Sequence, residues 1–257
     1  MTDVHWKHRG GPGAEQFLAT EAAGLAWIDV PGGPPVPDVV EVSASRLGTA
    51  HVVEGPATAA MAHQFGRRLA VMHRAGAPAF GCAPPQAPGP RGWIGELPMP
   101  YAQRETFTEF WALDRVAATA RMARDRGGLD PSMVGEVDQF VTDLLDGQID
   151  TGEPATAARV HGDLWSGNVL WGADADVWMI DPAAHGGHPE SDLAMLALFG
   201  APHLQAILAG YQESTPLAPG WRHRTALHQV WPLLVHAALF GGGYGVSAVA
   251  AIRRSRG

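Results

Sequence analysis

A single cysteine, Cys82, stands in a chain of 257 residues. No disulfide can close within it, so packing alone must hold the fold, and a reducing, cytoplasmic setting is expected. Cys82 lies in a Pro-rich stretch with no helix start or activating motif around it, which argues against a redox or nucleophilic role. No apolar run reaches roughly 18 residues and no signal-peptide pattern opens the chain, so neither a membrane span nor export by that route is expected. Basic residues form no stripe outside the Arg253-Arg254-Ser255-Arg256 tail, and the formal net charge is −8. Nucleic acid is therefore not an expected partner. Only 17% of residues are charged and 46% are apolar, an ordinary globular balance with core enough for one large domain or two small ones.

What is present concentrates in one stretch, Val160-His161-Gly162-Asp163-Leu164-Trp165-Ser166-Gly167-Asn168-Val169-Leu170-Trp171, followed by Val177-Trp178-Met179-Ile180-Asp181. Two short apolar runs around a polar loop predict a hairpin. Pairing Gly172 with Val177 sets Asn168 directly opposite Asp181, with Cβ atoms about 5 Å apart. Gly162 and Gly167 leave the Asp163 loop free to fold over that mouth. Two carboxylates and an amide suit a hard, oxygen-seeking cation. In kinase catalytic loops an Asp takes the acceptor hydroxyl's proton, while an Asn five residues on and an Asp at the next strand end hold Mg²⁺. Asp163, Asn168 and Asp181 have that order and spacing, which turn-forming duty alone would not require.

The remaining pattern reads as scaffold. Asp3–Arg9 alternates as a strand and 14–28 as a helix, and 39–43 with 46–53 predicts a hairpin. Thr58 caps a helix carrying Met61, Phe65, Leu69 and Met72, with His73 structural. Residues 75–99 read as a loop, 106–126 as a helix, and Asp130-Pro131 opens another. Helices follow over 204–211, 222–241 with a kink at Pro232, and 245–254. Trp231 and His236 are candidates for a cleft. His185 and His188 have Gly-Gly between them and no shared ligation geometry, so a zinc site is not expected.

His161-Gly162-Asp163-Leu164-Trp165-Ser166-Gly167-Asn168, Ile180-Asp181-Pro182-Ala183, Gly187-His188 and Glu190-Ser191-Asp192-Leu193-Ala194-Met195-Leu196 together resemble the fructosamine kinase (ketosamine kinase) family. That family lies within the aminoglycoside-phosphotransferase branch of the protein-kinase-like superfamily. The resemblance implies an α+β, two-lobe protein-kinase-like fold with a shortened β-rich N-terminal lobe and a mainly helical C-terminal lobe. Residues 1–54 would form the nucleotide lobe and 55–257 the large lobe, with the catalytic hairpin at 160–181. It implies ATP and Mg²⁺, and phosphorylation of the 3-hydroxyl of a small-molecule sugar-amine adduct by a monomer. Asp163 would be the base, Asn168 and Asp181 the metal ligands, and Lys7 the phosphate-steadying cation positioned by Glu21. Trp165 would wall the sugar side, with His161 and Asp192 supporting the site. Asp192 would brace the catalytic loop's backbone, and as a helix-opening residue it could also cap its own helix. Glu54-Gly55-Pro56 resembles the hinge that takes adenine through backbone groups.

Two departures from the family pattern stand out. Aromatics usual at positions 185 and 186 are His185 and Gly186, and the usual basic residue at 189 is Pro189. Only six residues precede Lys7, whereas kinase-like small lobes begin with two strands joined by a phosphate-covering loop. A truncated start or a reduced nucleotide lobe is the expectation. Three rivals stay open: an aminoglycoside- or choline-type phosphotransferase, a pseudokinase-like binding protein, and a metal-dependent phosphoesterase.

Overall fold

The structure, a computed structural model, describes residues 3–256. Val4–His8 (β1), Val39–Val42 (β2) and Arg46–Ala50 (β3) form an antiparallel sheet in the order β1-β3-β2. Lys7 pairs with Leu47, so the two side chains share a face with His5 and Thr49. On the other face the Trp6 ring covers Gly48, where a Cβ would meet it at 2.6 Å. Helix α1 (Ala14–Ile28) lies under the sheet with Leu18, Leu25 and Ile28 buried, each contributing about 1.5–3 kcal/mol. Glu21 shares that buried stripe, an acid where helical periodicity calls for an apolar residue. One turn on, Gly24 lets α1 approach the backbone after Asp181: a Cβ there would lie 3.1 Å from Pro182 Cγ. That approach brings Glu21 to the hairpin mouth.

Helix α2 (Ala59–Arg74) starts at Thr58, whose hydroxyl accepts from the Met61 N–H at 3.2 Å. The hairpin expected within 39–53 and the 14–28 helix have formed. The expected loop over 75–99 instead contains a second hairpin, Arg91–Ile94 (β4) and Leu97–Pro100 (β5), turning at Gly95, φ 55°. It hid because Gly92, Pro98 and Pro100 interrupt the alternation by which a strand is read. Residues Phe107–Glu109 (α3) run through a π-helical segment, Phe110–Ala117, into Ala118–Asp125 (α4). Pro131–Leu145 (α5) is capped by Asp130, which accepts from the Met133 N–H.

Ala158–Val160 (β6) leads into the Asp163 loop and pairs with His185–Gly187 (β9), a segment whose His-Gly-Gly sequence carries no strand signal. Between them lie Val169–Trp171 (β7) and Val177–Met179 (β8). Their register corrects the expected one. Trp171, not Gly172, pairs with Val177, and Ile180 stands opposite Asn168, its N–H donating to the Asn168 carbonyl at 3.1 Å. Gly172 therefore faces Asp176, its N–H closing the loop on the Asp176 carbonyl, with Ala175 at φ 67°.

The rest is helical: Pro189–Leu198 (α6), Leu204–Ser214 (α7), Trp221–Phe240 (α8) and Tyr244–Ser255 (α9). The helix carrying Asp192 begins earlier than expected, at Pro189 behind a His188 cap, so Asp192 is not its cap. Helix α8 runs unbroken through Pro232. Helices α2 and α7 touch backbone to backbone, because a Cβ on Gly66 would collide with the Ile207 carbonyl and one on Gly210 with that of His63. Among the described residues no helix is long and apolar enough to cross a membrane.

Candidate active site

The Asp163 loop hangs on a buried carboxylate. Asp192, 1% exposed, accepts from the backbone N–H groups of His161 (2.8 Å) and Gly162 (3.0 Å) and from His73 Nε2 at 3.1 Å. Burial alone would raise the Asp192 pKa, but the hydrogen bond from His73 and the backbone donors hold it below the usual carboxylate range. Tyr211 OH lies 2.9 Å from His73 Nδ1. With Nε2–H spent on Asp192, Nδ1 is the acceptor and the phenol donates. His161 is fixed in the same way. Its Nε2–H donates to the Ile180 carbonyl at 2.9 Å, and its Nδ1 accepts from the Asp163 N–H at 3.2 Å. Burial lowers the His161 pKa and keeps the ring neutral.

Gly162, at φ 82°, turns the chain where a Cβ would collide with the Ala183 carbonyl. Asp163 follows, and Asn168 Nδ2 donates to its carbonyl (2.8 Å) and to its carboxylate (3.3 Å). A short 3₁₀ turn, Ser166–Asn168, sets that five-residue reach. Gly167 is required there too, because a Cβ would strike the indole of Trp165 folded above it. Burial, then the nearby Asp181 charge, pushes the Asp163 pKa up to about 7.

Despite the shifted register, Asp181 reaches the same point. It adopts φ 53°, outside strand geometry, and its carbonyl lies 3.5 Å from Asn168 Nδ2. Lys7, the only lysine in the chain, closes the group. Its ammonium donates to both Glu21 oxygens (2.7 and 2.8 Å) and to Asp181 Oδ1 at 2.7 Å. Burial works against the Lys7 charge, but the two carboxylates outweigh it and raise its pKa. Burial pushes Glu21 up to about 7 against the pull of Lys7.

Two cavities meet at this point, both touching Lys7, Glu21 and Asp181. One, of about 210 Å³, runs under the small sheet between Leu25, Leu47 and Ile180 to Glu54. There the Val53 carbonyl and Gly55 N–H are bonded to Ala173 and Trp171. By strand alternation the Glu54 backbone groups are left on the opposite side. The other, of about 300 Å³, holds Asp163, Asn168, Trp165 and His236, with Phe17, Trp93 and Phe240 as walls. Sequence reasoning missed Phe17 and Phe240 as cavity walls. Trp231, a cleft candidate, is instead core, its indole N–H donating to Thr119 Oγ1 at 3.0 Å. A separate knot of ligand-type atoms, His188, Glu190 and His228, lies within 4.8 Å. Arg224 donates to both Glu190 oxygens, at 2.9 and 2.7 Å, and already supplies the cation there.

The fructosamine kinase family model matches residues 9–256. This chain belongs to the fructosamine kinase family. A relative from Synechocystis, named "Probable ketoamine kinase", is 34% identical over 186 residues, which are 71% of this chain and 58% of that one. A crystal structure described as a "putative fructosamine-3-kinase" from Thermobifida fusca is similar at 44% identity and a TM-score of 0.90, over 99% of this chain and 85% of that one. A macrolide 2'-phosphotransferase from Brachybacterium faecium, 16% identical, superposes with a TM-score of 0.61 over 98% of this chain and 84% of its own, a likeness of fold alone. The fold is thus the two-lobe, protein-kinase-like α+β architecture of these phosphotransferases, with a small β-rich lobe and a mainly helical one. The chain spans between 53% and 61% of the length of the first curated relatives it matches.

Proposed function

We propose that this chain transfers the γ-phosphoryl group of ATP to the 3-hydroxyl of a ketosamine. The observation that carries the reading is the meeting of both cavities at Lys7, Glu21 and Asp181, with Asp163 and Asn168 on the acceptor side. The nucleotide would enter beneath the small sheet, its adenine against Leu25 and Leu47 and the backbone of Glu54. We take residues 1–54 as the nucleotide lobe and 55–257 as the large lobe. Lys7, oriented by Glu21, steadies the phosphates.

Asp163 accepts the proton as the acceptor oxygen bonds to the γ-phosphorus and the β–γ bridging bond breaks, releasing ADP. Its raised pKa matches that duty near neutral pH. Trp165 walls the sugar. Asn168 and Asp181 fit Mg²⁺ by the chemistry of their donors. Asn168 spends Nδ2 on Asp163, its Oδ1 accepts no hydrogen bond among the described residues, and the half-exposed Asp181 carboxylate faces both cavities. Mg²⁺ held there would neutralise charge on the phosphates. A cytoplasmic location fits the single, buried Cys82.

ADP release measured against a panel of acceptors tests the reading. A fructosamine or ribulosamine adduct should sustain turnover that choline and aminoglycosides do not. Turnover with choline or an aminoglycoside alone would overturn the acceptor, and phosphate release from a monoester without ATP would overturn the reaction.

A further inference from the structure

An aromatic row runs from the acceptor cavity onto the surface. It starts at Trp165, two residues after Asp163, and passes Phe199 (6.1 Å between ring centroids) to His236 (4.9 Å). From His236 it reaches Phe240 (5.5 Å) and Tyr244 (5.0 Å), where α8 gives way to α9. Phe240 borders the cavity yet is 66% exposed, and Trp165 is 41% exposed. Large rings left in water beside a binding cavity mark surface that a ligand covers. Among the described residues nothing covers them. Gly241 and Gly242 hold positive φ, and a Cβ on either, or on Gly243, would meet no atom within 4 Å.

Charge within the cavity says what lies at the inner end. Lys7 is bonded to Glu21 and Asp181, and Asp181 is read as a Mg²⁺ holder, which leaves Asp163 as the cavity carboxylate with no cationic partner among the described residues. His236 adds none: its Nδ1–H is spent on the Pro232 carbonyl at 2.8 Å, and burial keeps the ring neutral. A cationic group beside the Trp165 face would be held both by Asp163 and by the indole ring. Beyond it, the apolar rings suit an apolar substituent.

Resting on the kinase reading above, we propose that the preferred acceptors are ketosamines of aromatic or long apolar amines. The protonated amine lies between Trp165 and Asp163, and its substituent lies along Phe240 and Tyr244. A short polar amine would leave that shelf bare.

The test compares two acceptors made from one ketose, its benzylamine adduct and its methylamine adduct. Wild-type kcat/KM should favour the benzyl adduct by about fivefold to tenfold. Phe240→Ala should remove most of that preference through KM, Phe240→Trp should keep it, and Val246→Ala, exposed but off the row, should leave it unchanged. Equal use of both adducts by the wild type, or a full preference surviving in Phe240→Ala, overturns the shelf while leaving the kinase reading intact. Phosphorylation of neither adduct overturns both.

Discussion

Two groups of carboxylates lie on either side of the Asp163 loop, and they are built oppositely. Asp192, behind the loop, is buried among donors and held ionised by them. Asp163 and Glu21, in front, accept only from the Asn168 amide and the Lys7 ammonium respectively, and burial outweighs those donors and pushes both up to about 7. A carboxylate held ionised by several hydrogen bonds has little affinity for a proton and serves to fix backbone. One kept short of them retains affinity for a proton, at a cost in stability. The contrast separates scaffold from reactive group on physical grounds.

The largest expected effect breaks the front group. Asp163→Asn should lower turnover by about 10²- to 10⁴-fold, since the amide cannot take the proton. A steady-state assay checks this, with circular dichroism to confirm folding. Breaking the rear group should act on stability first. Asp192→Ala leaves buried N–H groups of His161 and Gly162 and the His73 ring without an acceptor, and should cost about 3–5 kcal/mol in urea unfolding.

The pH dependence sharpens the same comparison, and the two groups have opposite signs. Raised acids such as Asp163 and Glu21 favour the folded state below about pH 4, and that contribution is lost as pH rises to about 7. Asp192 and Glu190, whose pKa values are lowered, contribute stability above about pH 4 that is lost as pH falls through their folded values, about 2 for Glu190. Asp163→Asn should therefore gain stability over wild type by about 1–2 kcal/mol more at pH 8 than at pH 4, allowing for solvent screening of a half-buried carboxyl. In the wild type, kcat/KM should fall about tenfold per unit below pH 7, as Asp163 takes up its proton. A flat profile between pH 5 and 7 would contradict the assignment. The smallest effect belongs to the outermost member of the rear group: Tyr211→Phe removes one donor to His73 and should cost about 1 kcal/mol, read from the urea midpoint.

The sequence made the two groups legible to different degrees. Asp163, Asn168 and Asp181 stood out by type and spacing, and the structure brings them together. They meet although the hairpin register expected from Gly172 is off by one residue. The reason is that Asp181 leaves strand geometry at φ 53°, which no count along the chain reveals. Lys7 and Glu21 were visible only through family likeness, although the chain's sole lysine was itself a signal. The bracing role of Asp192 was expected, but its partner His73 looked like any core histidine. Phe17 and Phe240 stayed hidden for a general reason: an apolar helix residue reads the same whether it faces a core or a cavity. The β4–β5 and β6–β9 pairings were hidden by Pro and Gly, because local propensity cannot report strands that exist through tertiary pairing.

The most direct measurement is ³¹P NMR of a reaction containing this protein, ATP, Mg²⁺ and a ribulosamine adduct. The expected products are ADP and a phosphomonoester whose one new signal is coupled to the proton on carbon 3 of the sugar, absent with Asp163→Asn. A phosphate at another position, ADP and free phosphate without ester, or an unchanged yield with Asp163→Asn would contradict the proposed reaction.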